Sequence, residues 1–196
     1  MAGVNTSAVS KYIKILLEHN YTVVIVNQFD DLENSKKNAK MIRKVTKIYS
    51  PGTYVESDDL NTINDRYENN IISIYVDENK SINSNNMLKS IGLARIDLTT
   101  GDSSFYEVYD NDFDTNYAYD ETYRFIQSFD GKEIIINLDD NSENSNRIYD
   151  DLLDYLELNQ TNKIVHKIDL SDKTKKKIKK ISFQNKFFKE YFNIKS

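Results

Sequence analysis

The chain has one proline, Pro51, followed at once by Gly52, one of only five glycines among 196 residues. Where both residue types are so scarce, such a pair is a stop signal. Proline has no N–H for a sheet ladder and biases Ser50 towards an extended backbone. Glycine offers the positive φ that a type II turn requires. A strand-like run with basic flanks, Val45 to Tyr49, precedes the pair, and an acidic segment, Glu56 to Asp59, follows it. The pair marks a boundary between two structural units, set at residues 1–56 and 57–196.

In the first unit, Thr6 or Ser7 can cap a helix running to His19. Ala8, Val9, Tyr12, Ile13, Leu16 and Leu17 recur on one face of it, and Asn20 stops it in place of glycine. Tyr21–Val26 and Met41–Tyr49 read as strands, with polar chain between them. One helix and two strands make a poor core, so this unit reads as the tail of a larger domain and as the less stable part.

The second unit is more complete. Asn70–Val76, Ser90–Leu98 and Ser103–Tyr109 read as strands, the last two joined by the hairpin signal Thr99-Thr100-Gly101-Asp102. The polar stretch Asp77–Asn86 is expected to be a mobile loop. A helix from an Asp114 cap to about Phe129 stops at Gly131. Glu133–Leu138 is a continuous apolar strand. Asn144–Leu158 is a helix presenting Ile148, Leu152, Leu153 and Leu156, Lys163–Ile168 is a last strand, and helices fill Ser171–Phe192. Three meandering strands followed by alternating helix and strand is the element order of the ribonuclease H-like fold. The fold class is therefore α/β, a mixed β-sheet flanked by helices, preceded by part of a second α/β domain.

Hydrophobic residues at 39% and aromatics at 12% supply a core. There is no cysteine for a disulfide or thiolate site. No apolar run approaches the ~18 residues of a membrane span, and no signal peptide is evident. A soluble, intracellular protein is expected. Heavy use of Asn, Lys, Ile, Tyr and Asp suggests AT-rich coding of a viral or organellar kind. The net charge of −5 argues against nucleic-acid binding over the whole surface, but positive charge gathers at Lys36–Lys47 and Lys173–Lys180, while Asp110–Asp154 is acidic.

Four stretches in order carry a family resemblance: MAGVNTSAVSKYIKILLEHNYTVVIVNQFDD at the start, KVTKIYSPGT from Lys44, NNIISIYV from Asn69 and IGLARIDLTTGDSSFYEV from Ile91. Together they resemble the end of the first domain and the connector domain of MutS-family mismatch-repair proteins. Asn5 and Ser7 stand where the family has Pro and His, Asn20 where it has Gly, and Asn27 where it has Glu before Gln28. The family's Phe-x-Glu motif, which stacks on a mismatch, precedes the turn seen here at Gly3-Val4, so the resemblance puts it outside this chain. The resemblance implies a connector that passes conformational change between mismatch-bound DNA and a distant ATPase, and that docks a MutL-type partner. It also implies a dimeric parent using ATP and Mg. This chain itself shows no phosphate-cradling glycine motif and is expected to be no enzyme and to need no cofactor.

The candidate DNA-binding residues are Lys36, Lys37, Lys40, Arg43, Lys44 and Lys47, which can grip phosphates without reading bases. Lysines on a solvated strand edge would look the same. Binding of double-stranded DNA is expected to be weak, salt-dependent and indifferent to mismatches. Near the C-terminus, Phe183, Phe187, Phe188, Tyr191 and Phe192 fall on one helical stripe and are expected to close the sheet's outer layer. Gln184 and Asn185 fall on the other face, and by resemblance are the candidate partner-binding residues. His19 and His166 have no acid or nucleophile near them in sequence and read as structural or exposed.

The element order invites an alternative, a metal-dependent nuclease or resolvase. That chemistry needs clustered carboxylates on two metal ions. The interior of the first strand, Ile71–Val76, has none, Asp77 lies past its end, and Asp139-Asp140 reads as ordinary loop chemistry. Folds are freely reused without their activities, and no metal ligand is assigned. A third reading is an interaction module with no role on DNA.

Overall fold

The computed structural model describes residues 3–29, 41–54, 69–139 and 143–192. The boundary at 56/57 therefore lies outside the described residues, as do Lys36, Lys37 and Lys40.

The first helix, α1 (Val9–Glu18), follows a 3-10 turn at Thr6–Ala8, and no side chain caps either. The expected Thr6 or Ser7 cap is not made. Asn20 does end the helix, at φ 59°, with the Tyr21 N–H donating back to the Leu16 carbonyl at 3.0 Å. Strands β1 (Val23–Phe29) and β2 (Ile42–Tyr49) form an antiparallel pair. Of the expected apolar face of α1, only Ile13 and Leu17 are buried, while Tyr12 and Leu16 stay exposed. A single helix cannot cover more.

The second sheet has five strands: β3 (Asn70–Lys80), β4 (Met87–Asp97), β5 (Ser103–Tyr109), β6 (Glu133–Leu138) and β7 (Ile164–Lys167). Their spatial order is β5-β4-β3-β6-β7, with β3, β4 and β5 antiparallel in series and β6 and β7 parallel to β3. Helices α2 (Tyr117–Phe129) and α3 (Glu143–Tyr155) are the crossovers that parallel pairing demands. They share one core with Ile72, Ile74, Val76, Ile91, Leu93, Ile134 and Ile136. The alternate residues of β3 and β6 point to the other face. Helix α4 (Asp172–Ile178) is tied to the end of β6 through Lys175, and α5 (Ile181–Phe192) meets β5 through Phe188 and Phe105.

Several local expectations change. The stretch Asp77–Asn86 is not a loop throughout, because β3 runs on to Lys80 against β4. Asp110, not Asp114, serves the start of α2, its Oδ1 accepting the Ala118 N–H at 2.8 Å. The left-handed residue after α2 is Asp130, at φ 41°. Gly131 has another reason to be glycine: a Cβ there would sit 2.7 Å from Ile72 Cδ1. The aromatics of α5 do not close a core either. Phe187 is 41% exposed and Tyr191 68%, and the described ring contact of α5 to the sheet is Phe188 against Phe105 at 5.8 Å.

Candidate functional site

The Pro51-Gly52 turn is where the two sheets meet. Its geometry is helical rather than type II: the Thr53 and Tyr54 N–H groups both donate to the Ser50 carbonyl at 3.1 Å. Gly52 is not among the positive-φ residues. It is glycine because something approaches it closely. Its N–H donates to Glu133 Oε1 at 2.7 Å, and a Cβ would lie 2.8 Å from Glu133 Cγ.

Glu133 opens β6, is 5% exposed, and turns its second oxygen to His166 Nε2 on β7 at 3.2 Å. His166 thus does have an acid partner, placed by parallel pairing and invisible to local sequence. Two further bonds brace the joint. Asn69 Nδ2 donates to the Tyr54 carbonyl at 3.1 Å, and Asn20 Nδ2 donates to the Asn162 carbonyl at 3.0 Å. Asn69 is held in turn by Asp97, which accepts its N–H at 3.1 Å. Burial would raise the Asp97 carboxyl, but donors from Thr99, Thr100 and Asn69 outweigh it and hold the group below its ordinary value.

The basic strand is shaped by a bulge. Ile25 pairs with Lys47 but Val26 pairs with Val45, leaving Thr46 as the extra residue. Lys47 and Lys44 therefore face Ile25 and Asn27, two residues apart on β1, and so share one side of the ribbon. Arg43 pairs with Gln28 and falls on the other side, with its guanidinium 2.9 Å from the amide oxygen when Gln28 is oriented to accept. Of the candidate cations, Lys44 and Lys47 are brought together and Arg43 is not.

On α5, Gln184 is partly occupied: its Nε2 donates to the Ile178 carbonyl at 2.9 Å, closing the end of α4. Asn185 is exposed beside Ser182, Lys186 and Lys189. His19 bonds the Ile15 carbonyl at 2.8 Å on its own helix.

At the end of β6, Asp139 is encircled by donors rather than by other acids. Tyr75 Oη donates to it at 2.5 Å and Lys179 Nζ at 2.6 Å, while Lys175 Nζ takes the Leu138 and Asp139 carbonyls at 2.9 and 2.8 Å. Among the described residues no three His, Cys, Asp or Glu side chains gather as a metal cradle. Burial would raise the Asp139 carboxyl, but the Lys179 and Tyr75 hydrogen bonds and the nearby ammonium charges win and hold it below the usual range. The hydrogen bond to Asp139 raises Lys179. A depressed carboxyl contributes stability above its unfolded value of ~3.9 and loses it as pH falls through the lower folded value. A raised lysine contributes fully below its unfolded value of ~10.4 and loses that as pH rises through its folded value. The gap in Tm between the native protein and Asp139→Asn should be constant from about pH 5 to about pH 9 and should close on either side. A gap unchanged at pH 2.5 would show that the ion pair does not anchor α4.

Fold and joint define an α/β protein of two sheets clipped together by a buried carboxylate. Comparison with known proteins gives the family. Residues 1–58 match the model for MutS domain I. The chain is 34% identical over 158 residues, 78% of its length, to the DNA mismatch repair mutS homolog of Acanthamoeba polyphaga mimivirus. It is 30% identical over 139 residues, 71% of its length, to DNA mismatch repair protein MutS of Clostridium tetani. Identity to MutS of Macrococcus caseolyticus is 31% over 173 residues, 87% of the chain. The matched parts make up 13%, 13% and 17% of those relatives. The chain belongs to the MutS family.

Proposed function

We propose that this chain works in DNA mismatch repair as a mechanical link. Residues 1–56 form the DNA-facing end of domain I, and residues 57–196 form a connector domain of ribonuclease H-like strand order. The antiparallel series β5-β4-β3 continued by parallel β6 and β7 supports that assignment. The link passes conformational change between bound duplex and an ATPase elsewhere in a dimeric parent, and the α5 surface around Asn185 and Gln184 receives a MutL-type partner. Lys44 and Lys47, with Lys36, Lys37, Lys40 and Arg43, hold phosphates rather than bases.

One observation carries the reading: Glu133 joins the turn after the basic strand to the start of β6, the neighbour of the central strand β3. Through that bond a displacement of β2 on DNA has a short, buried, directional path into β6. Coupling of this kind requires an element that both ends bias.

Hydrogen exchange with and without a short duplex at low salt tests it. Duplex binding should change protection at 42–54 and also at 133–138 in the native chain. In Glu133→Ala the change at 133–138 should vanish while that at 42–54 persists. A response at β6 that survives the substitution would sink the link.

A further inference from the structure

Two loops stand together at one end of the five-stranded sheet, 81–86 between β3 and β4 and 110–116 between β5 and α2. They are braced across. The Ser81 and Ser84 hydroxyls donate to the two oxygens of Asp112 at 3.1 and 2.5 Å, and Asn86 Nδ2 donates to the Asp112 carbonyl at 3.3 Å. Asn111 Oδ1 accepts the N–H groups of Phe113 and Asp114 at 2.9 and 3.0 Å. Polar side chains and backbone hydrogen bonds brace this geometry. Yet the tips carry Ile82 and Phe113, 100% and 102% exposed. Neither side chain is covered by the fold. Two large apolar side chains presented on adjacent braced loops are suited to anchoring an interface.

The surroundings decide what such anchors meet. The same loops rim an open cleft of about 570 Å³ lined by Glu78, Tyr119, Arg147, Asp151, Asp154 and Tyr155. Its cations are already matched: Arg147 lies 3.2 Å from Glu78 and 3.1 Å from Asp151, and Lys89 lies 3.0 Å from Asp110. Asp112, Asp114, Asp120 and Asp154 add charge of one sign. That sign repels phosphodiesters and anionic lipid and attracts a cationic protein surface.

We propose that Ile82 and Phe113 anchor a docking surface for a basic amphipathic segment of a partner protein. Its apolar residues seat on the two tips, and its lysines or arginines face Asp114, Asp120, Asp151 and Asp154. The surface is separate from the α5 face and does not depend on the role assigned to Glu133.

Fluorescence anisotropy on the whole chain tests this, using a labelled synthetic helical peptide of lysine and leucine at helical spacing. The comparison probes are the same peptide with glutamate for lysine, a lysine–glycine peptide of equal charge, and a labelled DNA duplex. Ile82→Ser/Phe113→Ser should bind the lysine–leucine peptide at least ~10-fold more weakly with an unchanged melt. The lysine–glycine peptide should bind weakly and equally to both proteins, and the glutamate peptide not at all. The single variant Phe113→Ser, at a fully exposed side chain, repeats the test should the double variant melt early. Equal lysine–leucine affinity in variant and native chains, equal binding of the glutamate peptide, or loss of duplex binding in the variant would overturn the proposal.

Discussion

Replacing Asp110 by alanine is expected to destabilise the five-stranded unit by about 3–5 kcal/mol, the range for stranding one partner of a buried ion pair. The Asp110 side chain has no exposed surface and lies 3.0 Å from Lys89 Nζ. It also accepts two backbone donors, the Lys89 N–H at 3.0 Å and the Ala118 N–H at 2.8 Å. One carboxylate thus fixes β4, β5 and the start of α2 to each other. Alanine would leave the Lys89 ammonium, whose side chain is 10% exposed, with the Thr115 carbonyl and the face of Tyr119 at 4.6 Å. Neither neutralises it.

Urea unfolding measures the loss. Asp110→Leu combined with Lys89→Met should recover much of it, because the penalty arises from an unpaired buried charge and not from the missing attraction. A loss below about 1 kcal/mol for the single change would mean that water reaches the pair and that the loop bracing is weaker than its geometry indicates.

Periodicity and punctuation made the framework legible. The strands at Ser103–Tyr109 and Glu133–Leu138 appear at the bounds their apolar runs suggest, and Gly101 takes the positive φ that the hairpin needed, at 80°. What local sequence could not show is what comes close through space. Gly52 and Gly131 are both scarce residues at the right places, but for crowding by Glu133 and Ile72, not for backbone freedom. The same blindness hid the Glu133–His166 contact, which spans 33 residues and exists only because β6 and β7 pair in parallel.

The candidate DNA site shows a third limit. Lys44 and Lys47 are an odd number of residues apart, and on a regular strand they would face opposite ways. The bulge at Thr46 reverses that, and no residue pattern announces it. Length of a polar run misled in the same manner: Asp77–Lys80 is polar because it is a strand at the sheet's rim, held by pairing with Met87–Ser90 rather than by burial.

The aromatic run near the C-terminus gives the second large prediction, as a contrast between the two faces of the sheet. Leu152 on α3 is wholly buried, with Ile148 and Leu156 one turn to either side at 5% and 1% exposure. These three stand at four-residue steps and form the stripe that seals the α2–α3 side of the core. Leu152→Ala should cost about 2–5 kcal/mol, the higher end if the helix cannot settle into the space left behind. Phe187 on α5 removes more atoms when cut to alanine, yet it should cost below about 1.5 kcal/mol, because its contacts are edge-on and tilted rings at an open surface. Phe183, Phe188 and Tyr191 lie 6.3, 6.0 and 4.6 Å from it, and 41% of it remains in water. Burial, not side-chain size, sets the order. Urea midpoints for the two variants at equal m decide it: equal losses, or a larger loss for Phe187→Ala, would mean that α5 seals a second core.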